Sequence, residues 1–238
     1  AVIDQNLSIL TWERDDNYPD VIQIRLREKL LPNQKATLKL TYFVKVPNAE
    51  FTQFGYGDNG KMNLKNCFMI PARYENKAFV KYSNLNLDDA ANALTDYDLN
   101  ISVPANLAVN SDLNEVQKAT QNNQNYYQFS GKNRLNLNLF VDVPKEYSVF
   151  KNSQVEVISN LRDNRLTDIQ RAIVIDKIVN YVTENLGPYP HEKITVSQAD
   201  YDRNPFYGLN QLPNFISPFP DEFMYEIIKL KSELHAIG

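Results

Sequence analysis

Residues 187–213 read GPYPHEKITVSQADYDRNPFYGLNQLP and contain most of the signals that decide how the chain folds. The dipeptide Gly187-Pro188 is typical of a helix end. The following KITVSQ, residues 193–198, alternates apolar and polar side chains and predicts a strand. A glycine with polar neighbours, Gly208, comes shortly after this strand. The stretch therefore predicts a helix end, a strand and then a polar loop, which we interpret as the rim of a functional site.

The residues before this stretch predict a helix preceded by another strand. Thr167 and Gln170 have the spacing of a capping box, in which the two side chains satisfy backbone donors at a helix start. Apolar side chains then recur at helical spacing on one face, at Ile175, Ile178, Val179, Val182 and Leu186. Residues 154–159, QVEVIS, predict the strand before the helix. Together these signals predict a β-α-β unit, and a second helix is expected to begin near Pro220.

From residue 5 to about residue 150 the sequence predicts only short strands. Turn residues separate them, and the 29 asparagines of the chain suit such turns because Asn tolerates a left-handed backbone. The predicted strands are VIQIRLREKL (21–30), ATLKLTYFVKV (36–46), DYDLNISV (96–103), NYYQFS (125–130) and RLNLNLFVDV (134–143). Strands without intervening helices predict an antiparallel sheet protein. The predicted fold class is mainly β with a C-terminal α+β part, divided into domains at residues 1–150 and 151–238.

Composition limits the classes of function. The chain has 238 residues, 43% of them hydrophobic, with 25 Lys and Arg against 29 Asp and Glu. No basic footprint of a nucleic-acid binder is present, and no apolar run reaches the roughly 18 residues of a membrane span. The single Cys67 excludes an internal disulfide. The N-terminus has neither an initiator Met nor a signal peptide, so we expect the chain to be a piece of a longer protein.

The two histidines do not form a recognisable metal site. A helical zinc motif needs His-Glu-x-x-His, so that both imidazoles lie one turn apart on one face. The sequence HEKIT supplies His191 and Glu192 but has Thr195 in place of the second histidine, and it lies at a strand start. His235 has Glu233 two residues before it, which is the wrong spacing for one helix face. We predict no metal ligand in this chain, with His191 and Glu192 as a solvated loop pair.

Other chemistry is equally sparse. Cys67 has apolar neighbours and is expected to fill the core, while Asp88 and Asp89 lack the ligand spacing of a calcium loop and are expected in a solvated turn. No Gly-x-Ser-x-Gly nucleophile motif or phosphate-binding glycine loop occurs in the sequence. The sequence therefore predicts no catalytic residue.

The order of these parts resembles a known enzyme family. GYG at 55–57 and DYDLNISVPANLAVNSDL at 96–113 are similar to the N-terminal β domain of aminopeptidase-N-type zinc metallopeptidases, which are gluzincins. YVTENLGPYPHEKITVSQADY at 181–201 is similar to the helix end and cleft strand that follow in that family. The resemblance implies an antiparallel β sandwich or saddle followed by the truncated opening, β-α-β-loop-α, of a thermolysin-like domain.

The resemblance also implies site residues. The family has Gly-x-Met-Glu-Asn or a near variant after the cleft strand, and its Glu holds the amino group of the substrate. On this chain Gly208 matches the glycine, Leu209 the Met, Asn210 the Glu and Gln211 the Asn, so Gly208, Asn210 and Gln211 are the implied substrate-binding residues. Asn210 lacks the charge that strengthens such a bond. The zinc helix expected next is also missing, because residues 223–238, FMYEIIKLKSELHAIG, lack the motif.

Three functional hypotheses follow. The first is a metallopeptidase-like protein or fragment that is not catalytic as given, and the second is a truncated active zinc aminopeptidase whose metal site lies beyond residue 238. The third is a β-sandwich binding or adhesion module. No cofactor is expected in this chain unless downstream sequence supplies a zinc motif. Expected partners are a peptide or the remainder of a longer chain, and analogy with the family favours a bacterial cell envelope or secretion.

Overall fold

The computed structural model describes residues 1–18, 21–52, 54–65, 67–81, 92–144, 147–161 and 167–198. The predicted loop with Gly208, Asn210 and Gln211 and the predicted second helix near Pro220 lie outside these residues. The division of the chain at residue 150 stays a prediction.

The described chain is rich in β-strands. The strands of the first half are β1 (Val2–Asp4), β2 (Trp12–Arg14), β3 (Ile22–Ile24), β4 (Leu38–Leu40), β5 (Gly55–Tyr56), β6 (Met62–Lys65), β7 (Tyr74–Glu75) and β8 (Ala78–Phe79). Those of the second half are β9 (Thr95–Pro104), β10 (Ala108–Ser111), β11 (Asn114–Gln121), β12 (Gln124–Arg134), β13 (Asn138–Asp142), β14 (Ser148–Lys151), β15 (Glu156–Ser159) and β16 (Lys193–Val196). The helices are α1 (Ala49–Thr52) and α2 (Asp168–Leu186). The prediction of a mainly β chain is confirmed.

Two compact units divide the chain. The first contains Ala1–Val46, Lys65–Asp98 and Gly131–Leu137, and the second contains Pro47–Leu64, Leu99–Ser130 and Asn138–Gly238. In the first unit, two-stranded antiparallel ladders join β1 to β4, β2 to β3 and β7 to β8. Lys81 Nζ lies 2.6 Å from Asp15 Oδ2 in this unit. The unit contains these short ladders and this ion pair.

The predicted strands at 21–30 and 36–46 are wrong in extent. Only Ile22–Ile24 and Leu38–Leu40 pair within those stretches. Alternation predicts a strand because one face is buried, but most side chains beyond these short ladders are exposed, and Phe43 is 99% exposed. The alternating apolar residues of these two stretches therefore do not form the buried face of a sheet. The short helix α1 was not predicted.

Two larger sheets and most of the core lie mainly in the second unit. A four-stranded sheet has the order β10-β13-β6-β5, and a three-stranded sheet has the order β11-β12-β9. Strand β12 alternates outward and buried side chains from Gln124 to Gly131, with Tyr127 and Phe129 buried and their rings stacked at 5.8 Å between centroids. Buried apolar side chains of β10, β13 and the adjoining turns complete this core: Leu107, Val109, Leu113, Leu139, Phe140 and Val141. Burying such side chains is the main favourable term in folding.

Strand β11 contains a β-bulge. Glu115 pairs with Phe129 and Gln117 pairs with Gln128, so Val116 has no partner of its own in the ladder. After the bulge, Gln117 and Ala119 lie opposite Gln128 and Tyr126, on the side of the sheet away from the buried Tyr127 and Phe129. The bulge thereby fixes which β11 side chains face outward.

The β-α-β unit that the sequence predicts is present. Strands β15 and β16 pair in parallel, with Glu156 opposite Lys193 and Ser159 opposite Val196, and α2 connects them. The capping box is formed, because Thr167 accepts from the Gln170 backbone N–H and Gln170 Oε1 accepts from the Thr167 N–H at 2.9 Å. The helix ends at Gly187, where φ is +104° and the N–H donates to Thr183 O at 3.2 Å.

The apolar face of α2 is only partly buried. Ile175, Val179 and Val182 are half-buried, whereas Ile178 is 53% and Leu186 is 82% exposed. Asp176, Asn180 and Thr183 instead dock the helix on the β14–β15 turn through side-chain hydrogen bonds to Asn152 and Gln154. Three of the five predicted apolar positions are thus partly covered, and polar side chains of the helix make its contacts with the turn. No helix in the described part of the chain is long and apolar enough to cross a membrane.

Candidate functional site

A groove of about 270 Å³ lies where strands of the second unit end, and we call it the strand-end groove. One wall comes from the β5–β6 hairpin, another from the end of β13, and the third from the carboxyl ends of the parallel strands β15 and β16. Its lining residues are Ala49, Gly55, Gly57, Lys61, Met62, Asn63, Phe140, Val141, Asp142, Tyr147, Asn160, Ser197 and Gln198. Crevices at the carboxyl ends of parallel strands are frequent ligand sites.

The hairpin wall depends on a glycine. Gly55 has φ of +137°, and a Cβ added there would lie 2.0 Å from the carbonyl oxygen of Pro47. The neighbouring Tyr56 N–H donates to the same oxygen at 2.8 Å, which draws the backbones together. Gly57 has open space around its missing side chain and an extended backbone. Only the first glycine of the GYG sequence is therefore required by the close backbone approach.

A charged pair lines the groove. Lys61 Nζ lies 2.8 Å from Asp142 Oδ1, and the Val143 N–H donates to the same oxygen at 2.8 Å. The Asp142 side chain is only 11% exposed, so water screens this pair less than a surface pair. Oδ2 of Asp142 makes no hydrogen bond within the described residues. The groove thus contains a fixed carboxylate whose second oxygen is available to a donor.

The ends of β15 and β16 are tied together beside this pair. Asn160 Oδ1 accepts a hydrogen bond from the Gln198 N–H at 2.7 Å, and Ser197 between the two strand ends is almost fully buried. Asn160 Nδ2 makes no hydrogen bond within the described part of the chain. The amide can therefore donate to a carbonyl group in the groove.

The other candidate residues of the sequence lie away from the groove. Glu192 Oε2 accepts from Asn114 Nδ2 at 3.0 Å, and the ring of His191 lies edge-on to Tyr189 at 5.4 Å between centroids. Glu192 is exposed, as expected of a solvated loop residue, and its hydrogen bond also ties the β16 start to β11. Cys67 is half-buried, and this burial raises the pKa of its thiol, which keeps it protonated. Asp88, Asp89 and His235 lie outside the described residues.

A buried lysine marks the opposite end of β16. Lys193 Nζ donates to Leu113 O at 3.4 Å and lies 4.0 Å from Glu156 Oε1. Burial lowers the pKa of Lys193, and the carboxylates of Glu156, Glu115 and Asp112 oppose this shift. The side chain connects the turn after β10 to the parallel strands, at a cost in desolvation.

Sequence reasoning missed the groove residues Lys61, Asp142 and Asn160. One sequence signal points to Asp142, an acid at the end of the mostly apolar run NLFVD. A charged side chain is rarely buried in a strand unless it has a partner. No sequence signal connects Asp142 to Lys61.

Zinc has no fitting site among the described residues, where no group of three or more His, Cys, Asp or Glu side chains could hold a metal ion.

Comparison with known proteins supports the fold. The sequence matches no protein-family model and no curated protein. The structure, however, has the fold of M1 zinc metallopeptidases, the aminopeptidase-N type, and the resemblance inferred from sequence is confirmed at this level.

Two of the matching structures are crystal structures of one enzyme. The M1 zinc metallopeptidase from Deinococcus radiodurans matches with a TM-score of 0.51 and 14% identity, over 83% of this chain and 46% of that chain. A mutant of the same enzyme matches with a TM-score of 0.50 and 15% identity, over 83% of this chain and 45% of that chain. This chain thus spans less than half the length of the solved chains, and the likeness concerns the fold alone.

Proposed function

We propose that this chain forms part of the peptide-binding cleft of a metallopeptidase-like protein and does not hydrolyse peptides as given. The main observation in support is that Asn160, Ser197 and Gln198 line the same groove as the Lys61–Asp142 pair. Gly208, Asn210 and Gln211 follow the end of β16 closely in the sequence, and we propose that they extend this groove as substrate-binding residues.

The chemistry suits the amino terminus of a peptide. Asp142 supplies a carboxylate to accept from an ammonium group, and this charge is what Asn210 lacks. Asn160 Nδ2 supplies a donor for the first peptide carbonyl. A charge-assisted hydrogen bond is about twice as strong as a neutral one, so Asp142 is the expected anchor. Because Lys61 already neutralises part of this charge, binding is expected to be weak.

The domain arrangement belongs to the same proposal. We propose that residues 1–150 form the β domain and that residues 151–238 open a thermolysin-like domain. The supporting observations are the parallel β15-α2-β16 unit and the M1 metallopeptidase fold. The second hypothesis, a truncated active zinc aminopeptidase, needs a His-Glu-x-x-His motif beyond residue 238. The full-length reading frame decides between them.

The test uses trialanine as the probe, with N-acetyl-trialanine as the blocked control, in titration calorimetry. We expect the wild type to bind trialanine weakly and the acetylated peptide more weakly. Asn210→Glu restores the carboxylate of the family and should strengthen trialanine binding about tenfold, which corresponds to about 1.4 kcal/mol. Asp142→Asn should weaken it, whereas Glu184→Gln on α2 is a matched charge control and should change nothing.

Two results would contradict the proposal. Equal affinity for free and acetylated peptide would show that no amino terminus is recognised. Alternatively, Asn210→Glu could lower the unfolding free energy by about 1 kcal/mol without any gain in binding, which would identify Asn210 as a turn residue that caps backbone groups.

A further inference from the structure

The second unit contains another groove, on the outward face of the three-stranded sheet. It has a volume of about 330 Å³. All three strands contribute to it, and we call it the sheet-face groove. Its lining residues are Asn100, Ile101 and Ser102 of β9, Gln117 and Ala119 of β11, and Tyr126, Tyr127 and Gln128 of β12.

The register of the sheet explains why this groove exists. Tyr126 lies directly opposite Ala119, and Gln128 lies opposite Gln117. Directly paired residues on one face have Cβ atoms about 5 Å apart, so a small side chain opposite a large one leaves the flank of the large one open. The ring of Tyr126 is accordingly 41% exposed. The bulge at Val116 places this pairing on the outward face.

The lining combines apolar surface with uncharged polar side chains and carries no charge. Asp, Glu, Lys and Arg make up 23% of the chain, yet none of the eight lining residues is one of these or a histidine. The side chains of Asn100, Ser102, Gln117 and Gln128 make no hydrogen bond to any residue that the structure describes. Three amides and a hydroxyl thus project beside an exposed aromatic ring with their hydrogen-bonding capacity unused by the fold.

The uncharged lining, the amide side chains and the exposed tyrosine ring favour one class of ligand. A nucleic acid would need lysines or arginines for its phosphates, and a charged peptide end would need an opposite charge. A neutral sugar needs neither. Each sugar hydroxyl both donates and accepts a hydrogen bond, as a side-chain amide does, and the C–H face of a pyranose ring stacks on an aromatic side chain.

We propose that the sheet-face groove binds a neutral oligosaccharide. Tyr126 provides the stacking platform, and the amides of Gln117, Gln128 and Asn100 bind hydroxyls of the neighbouring sugar units. The strand spacing of about 4.8 Å lets amides from adjacent strands reach successive groups of one extended chain. This binding site does not depend on the peptide cleft proposed above.

The experiment measures binding of cellohexaose, maltohexaose and mannohexaose to the whole chain by titration calorimetry. We expect at least one of them to bind, with an affinity unchanged between about 50 and 500 mM NaCl because no charge is involved. Tyr126→Ala should weaken that binding about tenfold or more, since aromatic anchors commonly carry this much of an affinity. Tyr126→Phe keeps the ring and should retain binding, as should Tyr74→Ala, which removes an exposed tyrosine of another hairpin.

The failing outcomes are equally definite. The proposal is overturned if all three oligosaccharides bind more weakly than about 1 mM, or if Tyr126→Ala binds as tightly as wild type while its thermal unfolding is unchanged. It is also overturned if Tyr126→Phe loses binding as completely as Tyr126→Ala, because the ring would then not be the contact. A single-stranded oligonucleotide serves as a further probe, and salt-sensitive binding that Tyr126→Ala abolishes would assign the groove to nucleic acid instead.

Discussion

Lys193 Nζ lies 4.0 Å from Glu156 Oε1, and the two residues form the first pair of the parallel β15–β16 ladder. Lys193 is buried, with only 8% of its surface exposed. A charge buried this deeply costs desolvation energy that a 4.0 Å ion pair and one long hydrogen bond offset only in part. The pair fixes the position of two chain segments, and the charge itself opposes folding.

Lys193→Met is therefore expected to keep or raise stability. Lys193→Met removes the desolvation cost of the buried ammonium and leaves Glu156, whose side chain is 31% exposed and can be hydrated, so we expect the free energy of unfolding to stay unchanged or to rise. Burial lowers the pKa of Lys193 in the folded protein below the ordinary value of 10.5. The unfolded chain thus binds more protons between the folded pKa and 10.5, so wild-type stability should rise relative to Lys193→Met as pH increases through that window.

Urea unfolding at several pH values measures this difference, with Lys132→Met as the exposed control. A loss of about 2 kcal/mol or more in Lys193→Met at neutral pH would contradict the prediction and show the pair to be net stabilising.

Gly55→Ala is expected to be strongly destabilising. The new Cβ would meet Pro47 O at 2.0 Å, and the φ of +137° is a strained conformation for any other residue. We expect a loss of about 2–3 kcal/mol in unfolding free energy, since the backbones must separate. Gly57→Ala is the matched control and should change stability by less than about 1 kcal/mol, because nothing lies near its Cβ position. Equal effects in thermal or urea unfolding would show that the approach to Pro47 is not required.

Thr167→Ala is expected to weaken the start of α2. The substitution removes the acceptor for the Gln170 N–H and should lower stability by about 1 kcal/mol. Thr167→Ser retains the hydroxyl and should stay within about 0.5 kcal/mol of wild type. Circular dichroism during urea unfolding measures both, and an effect of Thr167→Ser as large as that of Thr167→Ala would argue against the cap.

Helix α2 and the gross fold could be predicted because their signals are local. Thr167, Gln170 and Gly187 mark the helix within its own sequence, and alternation marks β12, where one side is buried. Local sequence patterns do not indicate which residues from different parts of the chain approach each other in the folded structure. Nothing near Gly55 reveals the Pro47 carbonyl, and nothing near Lys61 reveals Asp142, so the groove emerges only from the packed structure. For Asn210 the expectation rests on family resemblance alone.

The chain is predicted to retain no stoichiometric zinc. Its two histidines, His191 and His235, and its single Cys67 are spread along the sequence, and a catalytic zinc site requires three protein ligands at close range. Metal analysis after dialysis against a mild chelator measures retention, with a zinc-loaded metallopeptidase as the positive control. One zinc per chain surviving this treatment would overturn the prediction.

The bulge in β11 bears on how this strand tolerates changes in length. Val116 occupies no place in the ladder with β12, so a chain lacking it would still align Glu115 with Phe129 and Gln117 with Gln128. Deletion of Lys118 would instead turn the side chain of Gln117 to the inner face of the sheet. The outward face would then lose one of its amide side chains. During evolution this strand can therefore gain or lose a residue at position 116 while the residues on its outward face stay the same. A single deletion two positions later would change which residues lie on that face.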